Sequence, residues 1–129
     1  MSDRNYTIKN YTNSKLIFKV KHGEISIHSD GVAKCDIHRE YLGLDAYIGQ
    51  ERIKTNLTTI SDVTGLPEPE DGVIYIVSTL VYICLFKERD DIFVIDEPVK
   101  DKHKRVIATR ALARPVYTDL DKHILKMVK

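Results

Sequence analysis

The sequence predicts an α+β protein: a mostly antiparallel, twisted sheet with one central helix packed on it and a short C-terminal helix. Three observations lead to this expectation. Residues 73–77 are β-branched or aromatic and carry no charge, which is typical of a strand buried on both faces. From Ser78 onward the apolar spacing becomes helical and predicts a helix over residues 79–89. The first third of the chain alternates apolar and polar residues as strands do.

The alternating segments of the first third predict a β-meander with one face in solvent. Residues 43–64 fit no single pattern, and only short strands and a Thr-rich extended stretch are expected there. The expected strands before residue 65 cover residues 6–10, 15–21, 24–28, 32–41, 46–48, 52–53 and 57–63.

The second half of the chain is easier to divide. Residues 65–72 form an acidic loop with two prolines, which excludes a helix there and leads into the central strand. Residues 92–95 are expected to be extended, and residues 99–108 to form a hairpin with a polar tip at residues 101–104. A capping-box pattern at residues 118–121 predicts the start of the C-terminal helix.

Composition limits the function classes. The 129 residues predict a single domain over the whole chain, residues 1–129, and the net charge of +1 argues against nucleic-acid or membrane binding by bulk electrostatics. No apolar run reaches transmembrane length, and the polar start argues against a signal peptide. Cys35 and Cys84 are expected to be buried free thiols, which suits a cytosolic protein.

The junction at Ser78 and Thr79 is the first candidate site. A hydroxyl there caps the helix, and the electropositive helix N-terminus with its unpaired N–H groups could bind phosphate. The alternative is an ordinary N-cap on a core helix. The absence of a Gly-rich loop or a Gly-Lys-Ser signature favours that alternative.

The charged corner Arg89-Asp90-Asp91 is the second candidate site. Its carboxylates could accept hydrogen bonds from ribose hydroxyls or bind a metal. No further ligand lies at a metal-site spacing, so a polar ligand is favoured over a metal. The alternative is a helix C-terminus with a favourable Arg and solvated acids.

A local excess of basic residues is the third candidate site. It could form a cationic face for phosphates, with Arg110 and Arg114 the strongest members. A solvated edge strand, whose lysines discourage edge pairing, is an equally good interpretation. The set comprises Lys100, Lys102, Lys104, Arg105, Arg110 and Arg114.

The pattern of polar residues favours a non-catalytic protein. The five histidines are scattered, and no zinc-binding, Cys-x-x-Cys or nucleophile-elbow motif is present. Asp36 and His38 share a strand face, and either could act as a general base. We expect no cofactor and no metal site.

The chain resembles a small protein family common in tailed-phage genomes. The family pattern centres on Gly-Leu-Pro-x-Pro-x-x-Gly-x-x-Tyr-Ile-Val-Ser-x-Leu-Val, and this segment is its most specific part. Ser14 stands where the family has His, and Asn13 where it has Pro. The matching segments cover residues 10–14, 65–72, 75–81, 89–91, 98–101 and 105–108.

The resemblance implies a phage protein that acts in the cytoplasm of a bacterial host. Small phage proteins of this size resemble anti-defence factors, including those that sequester nucleotide immune signals such as the cyclic ADP-ribose derivatives of the Thoeris system. The leading hypothesis is therefore a non-enzymatic protein that binds such a signal and so blunts host immunity. Its expected ligand-binding residues are Asn10, Thr12, Ser78, Thr79, Arg89, Asp91 and Arg110.

Two other hypotheses stay open. One is a protein-binding module that docks on a host protein, or forms a homo-oligomer, through an exposed sheet edge and the C-terminal helix. The other is a nucleotide hydrolase or lyase that uses His38 or Asp91.

Overall fold

The structure is a computed structural model that describes residues 5–117. It confirms the α+β class, with eight strands and one helix in this part of the chain. Within residues 5–117 no helix is long and apolar enough to cross a membrane. The expected C-terminal helix lies outside the described residues. The strands are β1 (Thr7–Asn10), β2 (Leu16–Val20), β3 (Gly23–Ile27), β4 (Lys34–Ile48), β5 (Glu51–Thr64), β6 (Val73–Ile76), β7 (Ile92–Lys100) and β8 (Val106–Ala113), and the helix is α1 (Thr79–Leu85).

Six strands form the main sheet in the order β1-β6-β7-β8-β2-β3, and β4 pairs with β5 as a separate hairpin. The pairs β1–β6, β6–β7 and β8–β2 are parallel. The main sheet is therefore mixed, although the longer ladders, β7–β8 and β2–β3, are antiparallel as expected.

The expected meander of the first third is wrong except for the β2–β3 hairpin. β1 pairs with β6, more than sixty residues later in the chain, and β4 pairs only with β5. The meander assumed that consecutive strands are neighbours, which is the common arrangement. Alternation within a strand does not identify its partner, so these long-range pairings could not be read from the local pattern.

The core lies between the sheet and α1. Tyr75 and Ile92 are almost completely buried, and Val81 and Tyr82 of the helix pack against them. The helix is shorter than the expected 79–89, because the backbone N–H groups of Glu88 and Arg89 both turn back to the carbonyl of Leu85. Just after this turn, the Arg89 side chain donates hydrogen bonds to Asp91.

Asn10 brings the two ends of the main sheet together. It ends β1, at one edge, and its side-chain amide donates to the carbonyl of Ile27, the last residue of β3, at the other edge. The backbone N–H of Asp30 donates to the carbonyl of Asn10. The sheet therefore curls until its edges meet at this point.

Residues 34–64 form one long hairpin where short strands were expected. The two strands pair from Lys34 opposite Thr64 to Ile48 opposite Glu51, and the register shifts between Cys35 and Asp36 and again between Tyr41 and Asp45. Its root packs on α1 through Cys35 and Val63. Cys35 and Cys84 are free thiols as expected, with their Sγ atoms 3.5 Å apart, but Cys35 is only partly buried and Cys84 is exposed.

The predicted hairpin at residues 99–108 is confirmed. β7 and β8 pair up to Lys100 and Val106. Asp101 shapes the tip, because its Oδ1 atom accepts hydrogen bonds from the backbone N–H groups of His103 (2.8 Å) and Arg105 (3.0 Å). This is the local bonding that makes Asp frequent in turns.

Candidate functional site

A cleft of about 490 Å³ lies beside the beginning of β6 and β7. The acidic loop forms one wall, and the first residues of the two strands form the floor. The volume falls within the range of small-molecule sites in proteins. The lining residues are Tyr6, Pro69, Glu70, Asp71, Gly72, Val73, Ile74, Asp90, Asp91, Phe93 and Arg114.

Two aromatic rings and one guanidinium group supply the flat surfaces of the cleft. The guanidinium carbon of Arg114 lies 5.8 Å from the centre of the Phe93 ring. Tyr6 also lines the cleft and is about half exposed. A planar group can stack on such surfaces, as bases stack on aromatic rings and Arg planes.

The position of Arg114 is fixed by its neighbour. The Tyr82 hydroxyl of α1 donates a 2.6 Å hydrogen bond to the carbonyl of Pro115. The ring of Tyr117 then packs against Phe86, with the ring centres 5.2 Å apart. These contacts anchor the chain just after β8, so that Arg114 is held at the cleft.

Arg89 and Asp91 form a bidentate ion pair at the edge of the cleft. The Nε and Nη2 atoms of Arg89 donate to the two carboxylate oxygens of Asp91 at 2.8 Å each. Both side chains are largely buried, with 15% and 12% of their surface exposed. The hydrogen bond from Arg89 lowers the pKa of Asp91 below its usual value, and the same bond raises the pKa of Arg89.

This pairing changes what the two residues can do. The guanidinium carbon of Arg89 also lies 5.9 Å from the centre of the Tyr75 ring. The positive charge of Arg89 therefore already interacts with the Asp91 carboxylate and with an aromatic face. Asp91 stays ionised and still lines the cleft. It can accept a further hydrogen bond from a ligand hydroxyl, because each carboxylate oxygen has two lone pairs.

Asn10 and Thr12 hold the turn after β1. The Asn10 side chain is fully buried and donates to the carbonyl of Ser14 at 2.7 Å. Its Oδ1 atom accepts from the backbone N–H of Thr12 at 3.0 Å and from the Thr12 hydroxyl at 2.7 Å. The polar atoms of this pair are engaged within the protein, and their predicted role in ligand binding stays a prediction.

Ser78 is the N-cap of α1, as expected. Its hydroxyl accepts a 3.3 Å hydrogen bond from the backbone N–H of Val81. Thr79, the first helical residue, is exposed. The helix has only seven residues, so its dipole is small, and the cap already satisfies one of the free N–H groups. Phosphate binding at this helix end stays a prediction.

Arg110 is exposed on β8 and shares a strand face with Leu112 and Arg114 by alternation. Four residues of extended chain separate Arg110 from Arg114, which is about 13 Å. The two arginines therefore form a row of positive charge, which runs from Arg114, at the cleft just after β8, to Arg110 on one face of β8.

The structure brings the predicted residues into two groups. Asn10 and Thr12 are on the same side of the sheet as Ser78 and Thr79, because the parallel neighbours β1 and β6 end together, with Asn10 opposite Ile76. The second group comprises Asp91 with Arg89 at the cleft, and Arg110 is farther along β8. His38, the other candidate base, is exposed on the long hairpin opposite Thr59.

Sequence reasoning missed Tyr6 and Phe93, and it named Arg114 as a strong member of the basic set without including it among the expected ligand-binding residues. The alternation of Arg110, Leu112 and Arg114 was a usable signal for a shared face. Nothing local indicated that the acidic loop would face these residues. Among residues 5–117, no three His, Cys, Asp or Glu side chains gather into a group that could hold a metal ion.

Comparison of the chain with protein-family models, with curated proteins and with solved structures finds no match.

Proposed function

We propose that this protein binds a nucleotide-derived ligand in the cleft beside β6 and β7 and holds it without chemical change. The observation that carries the proposal is the combination within the cleft of flat side chains, carboxylates and a guanidinium group. Tyr6 and the Phe93–Arg114 stack provide surfaces for a base. Asp90 and Asp91 provide acceptors for ribose hydroxyls.

The charges of the cleft orient the ligand. Carboxylates repel phosphate, so the phosphate groups point away from the four acidic residues that line the cleft, Asp90 and Asp91 among them, and toward Arg114. A ligand with two phosphates extends along β8 over Leu112 toward Arg110. Arginine suits this role because its planar group donates two parallel hydrogen bonds to a phosphate.

Retention without turnover is the chemistry that fits these side chains. Asp91 has a lowered pKa and both of its oxygens accept from Arg89, which makes it a weak general base. His38 lies on another element, on the long hairpin. A binding protein that sequesters its ligand needs neither a nucleophile nor a base.

The biological setting of the proposal comes from the sequence resemblance. The protein is proposed to be a phage protein that acts in the bacterial host cytoplasm. Its ligand is proposed to be a nucleotide immune signal of the cyclic ADP-ribose type, and removal of that signal would blunt host defence.

Titration calorimetry with a panel of cyclic and linear nucleotides tests the proposal. We expect at least one member to bind in the micromolar range or tighter, and denaturation to release that ligand intact. Arg114→Glu should weaken binding by at least about tenfold, since it reverses the one cationic group among the described residues that line the cleft. Lys102→Glu is the matched control, because it makes the same charge change at the β7–β8 tip.

Two results would refute the proposal. One is the absence of binding by any member of the panel at about 100 µM. The other is conversion of the bound nucleotide to a product, which would support the hydrolase hypothesis.

A protein-binding module is the second candidate function, and the exposed edge strand β3 favours it. β3 is the last strand of the main sheet, and Gly23–Ser26 are exposed. A partner strand can add to such an edge through backbone hydrogen bonds. Ser26→Pro should then abolish partner binding and leave nucleotide binding unchanged, whereas a partner that still binds this variant would exclude the β3 edge.

A further inference from the structure

The two cysteines of the chain meet at the root of the long hairpin. Cys35 lies near the start of β4, and Cys84 lies on α1, 49 residues later in the chain. Their Sγ atoms are 3.5 Å apart, so one thiol can donate a hydrogen bond to the other. The proposed binding of a ligand in the cleft uses neither group. Two free thiols at this separation can be joined by a single two-electron oxidation.

The positions of the two sulfur atoms suit a disulfide bond. Such a bond is about 2.0 Å long, so the atoms need to approach each other by about 1.5 Å. Cys84 is exposed, and each thiol turns about its Cα–Cβ bond, so rotation of the side chains can close this gap. Cys35 is held in place, because it packs against the buried core together with its cross-strand partner Val63.

A separate cleft of about 460 Å³ gives access to Cys84. Its two charged lining residues, Asp62 and Glu88, are both acidic. The cleft therefore disfavours an anionic oxidant such as glutathione disulfide and admits a small neutral one such as hydrogen peroxide. The remaining lining residues are Ile60, Val63 and Leu85.

The two thiols have different parts in an oxidation. Burial, and after it the hydrogen bond with Cys84, raises the pKa of Cys35 to about 11. Because the thiolate is the nucleophile, Cys35 reacts poorly with an oxidant in solution at neutral pH. Cys84 is exposed beside the second cleft, so its sulfur meets the oxidant first. Oxidation turns that sulfur into an electrophile next to Cys35, and proximity then favours the second step.

We propose that Cys35 and Cys84 form a reversible disulfide bond when the folded protein meets hydrogen peroxide. The Cys84 sulfur attacks one peroxide oxygen, the O–O bond breaks, and the products are Cys84 sulfenic acid and water. The Cys35 sulfur then attacks the Cys84 sulfur and displaces hydroxide, which takes the Cys35 proton and leaves as water. Two thiols and one peroxide thus give one disulfide and two water molecules, with sulfur oxidised and the peroxide oxygens reduced.

The bond changes the stability of the protein. It closes a loop that contains most of the long hairpin, the acidic loop and β6, and it joins the hairpin to α1 covalently. A closed loop of this length restricts the unfolded chain and so stabilises the folded state. The oxidised protein is therefore expected to unfold at a higher temperature than the reduced protein. This effect does not depend on a ligand in the cleft beside β6 and β7.

Peroxide treatment of the folded full chain, followed by intact mass spectrometry without reductant, tests the proposal. We expect a stoichiometric amount of peroxide to remove two hydrogen atoms from the mass and to abolish both free thiols within a single chain. Dithiothreitol should restore the reduced mass. Thermal unfolding should occur at least about 5 °C higher for the oxidised form than for the reduced form.

Cys35→Ser and Cys84→Ser separate the parts of the two thiols. Cys35→Ser should stop at the sulfenic acid of Cys84, which dimedone captures, and oxidation should not raise its unfolding temperature. Cys84→Ser should react with peroxide at least about tenfold more slowly than Cys35→Ser, since its remaining thiol is partly buried and has a raised pKa. Circular dichroism checks that both variants are folded.

Four outcomes would overturn this proposal. The first is a folded wild type that keeps both thiols under a peroxide treatment that oxidises the denatured chain. The second is a disulfide between two chains in place of one within a chain. The third is an oxidised protein that unfolds at the same temperature as the reduced protein or below it. The fourth is an equal rate of oxidation in the two variants, which would contradict the order of the two steps.

Discussion

Asn10 is a polar residue that is fully buried, and its side chain joins the turn after β1 to the end of β3. The sequence correctly placed Asn10 at the end of a strand and Thr12 in the turn that follows it. It could not show whether their polar atoms face a ligand or the backbone of the same turn, because both environments select the same residue types. The same ambiguity applies to Ser78, whose hydroxyl caps α1.

Replacing Asn10 with Ala should destabilise the protein by about 3 kcal/mol, because buried partners lose their hydrogen bonds. Asn13→Ala, an exposed neighbour in the same turn, should change stability by less than about 0.5 kcal/mol. Urea unfolding of both variants measures the difference. Equal effects of the two substitutions would show that the Asn10 contacts do not stabilise the fold.

The Arg89–Asp91 pair predicts a specific pH dependence of stability. The pKa of Asp91 is lower in the folded protein than its unfolded value of about 3.9. Its contribution is therefore complete above that unfolded value and is lost as the pH falls through the lower folded pKa. At neutral pH, Asp91→Asn should cost about 2 kcal/mol, since two hydrogen bonds to a charged group are weakened or lost.

Unfolding by urea at several pH values between neutral and acidic checks this expectation. The difference in stability between the wild type and Asp91→Asn should shrink in acid. Asp90→Asn, at the exposed neighbouring carboxylate, is the control and should have a much smaller effect at neutral pH. A difference for Asp91→Asn that stays constant with pH would contradict the ion-pair account.

At the scale of elements, the short strands and the central helix followed from local patterns, and the long hairpin did not. The alternation along residues 34–64 is interrupted near Gly43, where the register of β4 against β5 shifts. A ribbon that extends beyond the core also lacks the long apolar run of a buried strand. These two features explain why residues 43–64 gave no single prediction.

Gly65 determines how the root of this hairpin closes. Its φ is +91°, and a Cβ atom built there would lie 2.1 Å from the carbonyl oxygen of Val32. The backbone just before β4 and just after β5 can approach this closely only because residue 65 has no side chain. The sequence identified a loop at residues 65–72 but not this contact, which depends on a residue more than thirty positions earlier.

Gly65→Ala should destabilise the protein by about 3 kcal/mol or more, since a backbone atom must move to accommodate the methyl group. Gly49→Ala is the matched control, because Gly49 also has a positive φ (+61°) but an added methyl group there would meet no atom within 4 Å. It should cost only about 1 kcal/mol. Thermal unfolding of the two variants compares them, and a tolerated Gly65→Ala would contradict the close approach at the root.

At the scale of the whole molecule, the cleft arises from parts that are far apart in the sequence. Tyr6 precedes β1, the acidic loop precedes β6, Asp91 precedes β7, and Arg114 follows β8. Parallel pairing of β1, β6 and β7 places the starts of these strands on one side of the sheet. Only the mixed topology brings these residues together, so a mostly antiparallel expectation could not locate the cleft.

The same topology separates the cleft from the long hairpin. The cleft lies at the beginning of β6 and β7, whereas the hairpin of β4 and β5 extends from the root formed by Gly65 and Val32.

Mass spectrometry of small molecules released from the purified protein tests the central claim most directly. The protein is made in bacterial cells with an active nucleotide-signalling system, then washed and denatured. The account predicts that the wild type releases an intact nucleotide-derived molecule, and that Arg114→Glu, purified in the same way, releases far less. Equal amounts from both proteins, or release of only hydrolysed products, would contradict it.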